Sequence, residues 1–203
     1  MRKIELLLLH FSIILCLCTH MFCLFFYGMQ PYSIRKNVKE GKPFVFKRDE
    51  DYFCEIQRVR ITDEYVYVQY GGKSIVKVYQ HDGTYMGTIA VYDRRGSGGT
   101  DIYTDNEKAY IYHGNCLYEF SGIEFLHCYY NSDMNKKLQT VSTSRIPARD
   151  YSLRLGNLIK YENTPREFVF VKRGVLQRLA YPGILLPFEL FMFLLWRAWF
   201  KYH

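Results

Sequence analysis

His113, Cys116, His127 and Cys128 are the side chains in this chain whose types could jointly hold a soft metal. Zinc sites use tetrahedral sets with spacings such as C-x2–4-C or H-x3–5-H, and an H-x2-C followed by an adjacent H-C pair fits none of them. Neighbours on a strand point to opposite faces, so His127 and Cys128 do not converge on one ion. No metal and no cofactor is therefore expected. Cys116 and Cys128 are instead a candidate disulfide across a hairpin, provided that a three-residue loop sets them face to face; free buried thiols are the other reading. Cys54 is left over either way.

Other motifs resolve into turns. Gly96, Ser97, Gly98, Gly99 and Thr100 imitate a phosphate loop, but such loops lead from a strand into a helix and carry a lysine. Here Arg94 and Arg95 precede the glycines and a strand follows, so the segment reads as a connection between sheets. There is no G-x-S-x-G elbow and no H-E-x-x-H helix. Asp82, Asp101, Asp105 and Glu107 lie at turn positions, where a carboxylate serves local hydrogen bonding. The chain is expected not to be an enzyme. The alternative is an enzyme or enzyme subunit acting on envelope carbohydrate through Asp101, Asp105 or Glu107.

These residues must be positioned by strands. The chain has 203 residues, of which 49% are hydrophobic, 23% charged and 18% aromatic, with 19 Tyr and 15 Phe. That composition excludes a disordered tail, and tyrosine at this level favours pleated surfaces. Tyr65–Tyr70 is a β-branched and aromatic run, interrupted only by Gln69, that stops at Gly71-Gly72. Ser74–Gln80 follows and ends at Asp82-Gly83, a strong hairpin signal; Tyr85–Val91 is a third run. After the glycines the pattern returns. Asp101–Asp105 is a short strand, Ala109–Tyr112 matches Tyr65–Val68, and Cys116–Phe120 matches the second run. Ser121-Gly122 replaces Asp-Gly, and Phe125 and Leu126 stand where Tyr85 and Met86 stood. A self-similar unit of roughly 40–44 residues built from short strands is the pattern of a propeller blade. A third, degraded copy has strands at Leu153–Tyr161 and Glu167–Val171, joined by Glu162, Asn163, Thr164 and Pro165.

The stretch DEYVYVQYGGKSIVKVYQHDGTYMGTI resembles an NHL-type propeller repeat, and GGTDIYTDNEKAYIYHGNCLYEF is similar to the start of the next. The arrangement also resembles short bacterial membrane proteins that hold two such repeats between terminal apolar helices. The resemblance implies architecture and interaction surfaces; it implies no catalysis. Full rings take roughly four to eight blades, more than the middle of this chain can hold. The expected fold is mainly β, with two to three blade-like antiparallel sheets in an open array. Either the sheets stack as an open sandwich or their edges pair with another chain.

Both ends are greasier than the middle. Leu6–Tyr27 carries no formal charge, and as a helix it would extend roughly 33 Å, against a hydrocarbon core of about 30 Å. It exceeds a signal core and lacks a small-x-small cleavage site, so residues 1–30 read as a retained anchor. Residues 181–203 read as a second transmembrane helix or an interfacial one, with Trp196, Trp199 and Tyr202 at one end and Tyr181 at the other. Glu189 near mid-span is the candidate intramembrane polar site, binding a partner or handling a proton; the plainer reading is a tolerated acid. The middle domain, residues 31–180, holds most of the net charge of +7. Arg35, Lys36, Lys39, Lys42, Lys47 and Arg48 form a basic collar suited to anionic headgroups. Long domains translocate largely regardless of flanking charge, so the sheets are expected outside the cytoplasm at the cell membrane. The partners expected are the lipid bilayer and a protein or envelope polymer, with no nucleic acid. Self-assembly into a homo-oligomer is a further alternative.

Overall fold

A computed structural model of the chain describes residues 7, 10, 11, 13–15, 17, 18, 21, 38, 42–49, 56–70, 74–91, 100–143, 151–154, 157–161, 167–171, 190, 191, 193–195 and 197. They form three antiparallel sheets and one helix between the termini. The first sheet comprises β1 (Phe44–Phe46), β2 (Ile56–Ile61), β3 (Tyr65–Tyr70), β4 (Ile75–Gln80) and β5 (Tyr85–Ala90), in the order β1-β5-β4-β3-β2. Thus β2 to β5 are a meander, and β1 returns to close the outer edge through Phe44↔Ala90, Val45↔Ile89 and Phe46↔Thr88. The second sheet is a meander of β6 (Asp101–Thr104), β7 (Ala109–His113), β8 (Cys116–Ser121) and β9 (Glu124–Tyr130). The third holds β10 (Tyr151–Arg154), β11 (Asn157–Tyr161) and β12 (Glu167–Val171).

Burial orders these layers. On β3, Val66, Val68 and Tyr70 face a core shared with Leu158, Phe170 and Val171 of the third sheet. Tyr67 on the same strand, with Val76 and Val78 of β4, faces Ile102, Ile111, Tyr118 and Phe120 of the second sheet. Successive strand residues point to opposite faces, so the continuous apolar run of β3 is what burial on both sides requires. The far face of the second sheet is covered by α1 (Asn131–Thr143), which sets Met134 and Val141 against Tyr110 and Leu117. The order is therefore third sheet, first sheet, second sheet, helix. Within the stack the first and second sheets come together at their edge strands β2 and β6, where Arg58 pairs with Asp101 and Arg60 Nε donates to the Ile102 carbonyl at 3.2 Å.

The two meanders share a detail. In the first, Val78 pairs with Gly87 and Tyr79 with Tyr85, so Met86 is skipped. In the second, Glu119 pairs with His127 and Phe120 with Phe125, so Leu126 is skipped. Each bulge follows a turn with a left-handed glycine, Gly83 (φ 91) and Gly122 (φ 57).

Several elements differ from the sequence reading. The single strand expected over Leu153–Tyr161 is a hairpin, with Arg154 paired to Asn157. β1, β2 and α1 were not foreseen. Asn131, at φ 49, makes the sharp bend from β9 into α1, a conformation that asparagine tolerates better than most residues. At the termini, the described residues from 7 to 21 and from 190 to 197 are helical. Among the described residues no helix is long and apolar enough to cross a membrane. The expected spans Leu6–Tyr27 and Tyr181–Phe200 fall largely outside the described residues, and Glu189 does so entirely.

Gly122 does two jobs. Besides its positive φ, a Cβ there would lie 2.9 Å from Tyr65 Cζ and 3.2 Å from both Cε atoms, whereas at Gly114 (φ 59) nothing lies within 4 Å. Gly114→Ala should therefore cost only the left-handed strain, about 1–2 kcal/mol. Gly122→Ala should cost more, because the Tyr65 ring must also move. Urea midpoints of the two variants, read by tyrosine near-UV circular dichroism, check the order; equal midpoints would show that the Tyr65 contact contributes nothing.

Candidate functional site

The residues that could do chemistry are dispersed or already engaged. Cys116 lies opposite Tyr130, and Cys128 opposite Tyr118. The two cysteines are thus diagonal, not face to face as the disulfide reading required. Diagonal Cα atoms lie roughly 7–8 Å apart, beyond the ~6.8 Å that a bridge usually spans, and both thiols are free. Both border the core between the first and second sheets. Burial, with the neighbouring Cys116 thiol, pushes Cys128 up to about 11, so at neutral pH it is a protonated, weakly reactive thiol. Among the described residues no group of three or more His, Cys, Asp or Glu could hold a metal. His127 stands apart from its cysteine neighbour, edge-on to Tyr129 with ring centroids 4.6 Å apart. Cys54 lies outside the described residues.

Asp82 and Asp105 are occupied by their own turns, whereas Asp101 lies in β6 and is engaged by Arg58 of the first sheet. Asp82 Oδ1 accepts the Thr84 amide at 2.8 Å. Asp101 accepts the Ile102 amide and the Tyr103 hydroxyl. Asp105 Oδ1 accepts the amides of Glu107 and Lys108 at 3.0 and 2.7 Å, while Oδ2 accepts the Tyr110 hydroxyl at 2.8 Å. Glu107 is exposed on the same turn. Of the glycine-rich segment, Thr100 is described and immediately precedes β6; Gly96, Ser97, Gly98 and Gly99 lie outside the described residues.

One cluster was not visible in the sequence. Thr100 Oγ1 lies 2.9 Å from His113 Nδ1 and donates to Ser74 Oγ at 3.1 Å; Ser74 Oγ lies 3.4 Å from the same nitrogen. Gln69 Nε2 donates to the Thr100 carbonyl at 2.6 Å, and its Oε1 is buried without a hydrogen-bond partner among the described residues. Sequence distance hid this group, because its members come from strand β3, the turn before β4, the residue before β6 and the end of β7. A serine relay places a carboxylate at Nδ1 to orient the imidazole. Here the hydroxyls take that place, so the cluster fastens the hairpin ends of two sheets together.

A second polar group lies on the helix-covered side. Buried Glu119 accepts Lys108 Nζ at 2.6 Å on Oε1 and the Tyr129 hydroxyl at 2.5 Å on Oε2. Lys137 of α1 sits 4.8 Å from the Tyr110 ring centroid. Burial alone would raise the Glu119 carboxyl, but the hydrogen bonds from Lys108 and Tyr129 outweigh it and hold the group below its ordinary 4.5. Tyr129 is correspondingly pushed up to about 12 by burial and by Glu119.

What remains open is an edge. β9 is the last strand of its sheet, and Glu124, Phe125, Leu126 and His127 along it are exposed. Outside the terminal helical residues, the exposed large hydrophobic side chains among those described are Phe125 (38%), Leu126 (41%) and Tyr130 (46%), all on this strand. Its counterpart β5 is closed by β1, which is further held by Tyr85 donating to the Arg48 carbonyl at 3.0 Å and by Lys77 reaching Asp49 at 2.7 Å. β9 has no such neighbour among the described residues. The edge escaped the sequence reading because Phe125 and Leu126 read as an ordinary blade strand, and only the topology leaves them uncovered.

No protein-family model, no curated protein and no solved structure matches the chain.

The depressed Glu119 and Asp105 carboxyls fix a pH dependence. A carboxyl whose folded value lies below its unfolded one stabilises the fold above that unfolded value. The contribution is lost as pH falls through the folded value, so unfolding should ease as pH drops below 4.5. Glu119→Gln should lose about 1–3 kcal/mol at neutral pH, and its deficit should shrink as pH falls through the lowered folded value of Glu119 and the carboxylate is protonated. A deficit that stays constant with pH would show that Glu119 acts through packing alone.

Proposed function

We propose that this is a membrane-anchored, non-enzymatic protein whose stacked sheets present a binding surface to another polypeptide along β9. The observation that carries the reading is the concentration of exposed Phe125, Leu126 and Tyr130 on one unclosed strand edge. An uncovered apolar edge is a template for strand addition, and natural proteins usually blunt it with charge, proline or a covering segment. β5 is covered in that way by β1, and the matching bulges at Met86 and Leu126 support reading the two meanders as copies of one blade-like unit.

Membrane attachment is supported by the two ends. Helical residues there expose Leu7, Phe11, Ile14 and Met21 by 58–71%, and Leu190, Phe191 and Phe193 by 53–59%. Apolar side chains so exposed in a soluble chain would drive association; a bilayer covers them. The basic residues Lys42, Lys47 and Arg48 are exposed beside β1, where anionic headgroups would attract them at about 1 kcal/mol each. On this reading the sheets face the envelope side of the cell membrane.

Benzoylphenylalanine placed at Leu126 in the full chain, irradiated in native membranes, should form a covalent adduct with a polypeptide. The same residue at Asp82, on an exposed turn, should not. The chain should also resist alkaline carbonate extraction. Equal labelling at both positions, or none, would refute edge binding, and release by carbonate would refute the anchor.

A further inference from the structure

We infer that the strand received by β9 is β9 of a second copy of this chain, in antiparallel two-fold pairing. This deepens the edge-binding reading and rests on it. The residues along the edge are self-complementary. Antiparallel alignment that sets Phe125 against Leu126 of the second copy also sets Glu124 against His127 of that copy, and the two-fold repeats both pairs. The result is an apolar centre flanked on each side by a carboxylate facing an imidazole. Opposite charges and apolar pairs directly across a ladder are favourable, and like charges are not. Glu124 and His127 are both exposed, as are Phe125 and Leu126, so the pairing needs no rearrangement of the sheet.

The direction has a precedent within the molecule. The matching strand β5 accepts β1 in antiparallel sense on its outer edge. The comparison also shows what the second sheet lacks. Met86, skipped by the ladder of the first meander, packs against the core between the sheets. Leu126, skipped in the second, is exposed and has its side chain available for a partner. Seven residues of edge fall short of the ~800 Å² per partner of a standard stable interface. Two copies tethered in one bilayer, however, meet at a high effective concentration, which compensates for a small contact.

The experiment uses the full chain carrying two different epitope tags, co-expressed and solubilised in mild detergent. Capture through one tag should recover the other, and the photoadduct from position 126 should have twice the mass of the chain and yield peptides of this chain alone. Leu126→Lys and Glu124→Lys should each reduce cross-tag recovery about tenfold or more, the loss of one well-placed contact. Adding His127→Glu to Glu124→Lys should restore it, which a general loss of structure would not allow. An adduct with a different chain and no cross-tag recovery would overturn the self-pairing and leave edge binding standing. No adduct of any kind would overturn both. Recovery that survives Leu126→Lys, or that the charge reversal does not rescue, would place the contact away from β9 and overturn the proposal.

Discussion

Burial of the five-stranded sheet on both faces is the constraint from which the rest of the architecture follows. A sheet with one wet face reads as strict alternation, apolar then polar. β3 and β4 have no wet face: Val66, Val68 and Tyr70 belong to one core, Tyr67, Val76 and Val78 to the other. Fully burying each such side chain contributes roughly 1.5–3 kcal/mol, so the two neighbouring sheets are needed for the central one to be stable at all. The buried charge on these strands is Lys77. Its ammonium is held by Asp49 and lies 5.3 and 5.9 Å from the ring centroids of Tyr70 and Tyr85. A buried charge persists only when paired, and its carboxylate comes from the segment that follows β1. The closing strand is therefore tied to the middle of the sheet as well as to its edge.

The same economy governs the far side of the second sheet. A stack of blade-like units would place another sheet there; instead α1 covers it with Met134, Leu138 and Val141. The third sheet crosses to the opposite side of the stack and shields the first, with Lys160 donating to the His81 carbonyl at 2.8 Å. Each interior face thereby gains a cover without a closed ring. The outer edge of the second sheet is where cover runs out, and the exposed hydrophobic residues of the sheets gather there.

Much of this was legible in local chemistry. β3, β4 and β7 fall within a residue of their predicted limits because hairpin glycines bound them and β-branched and aromatic residues fill them. Asp82 and Asp105 read as turn residues for the same local reason, whereas Asp101 lies in β6 and pairs with Arg58 of the neighbouring sheet. β1 was not legible: Phe44-Val45-Phe46 is too short to show a period, and its partner β5 lies some forty residues away. α1 was missed because its sequence, NSDMNKKLQTVST, is polar with few apolar anchors. The disulfide pairing depended on register, and register across β8 and β9 is set by a bulge that no spacing rule announces.

The sequence by itself determined the alternation, the turns, the likeness of the two meanders and the apolar character of the ends, since each depends on residues close together in the chain. Tertiary structure alone decided which face of which sheet meets another, that Ser74, Thr100 and His113 converge, and that the thiols of Cys116 and Cys128 remain diagonal. It also decided that β5 has a covering strand and that β9, among the described residues, does not. These are contacts between residues far apart in sequence, and their free energy depends on how whole sheets exclude water from one another. A local pattern can specify an apolar strand, but only the assembled stack determines whether that strand is covered.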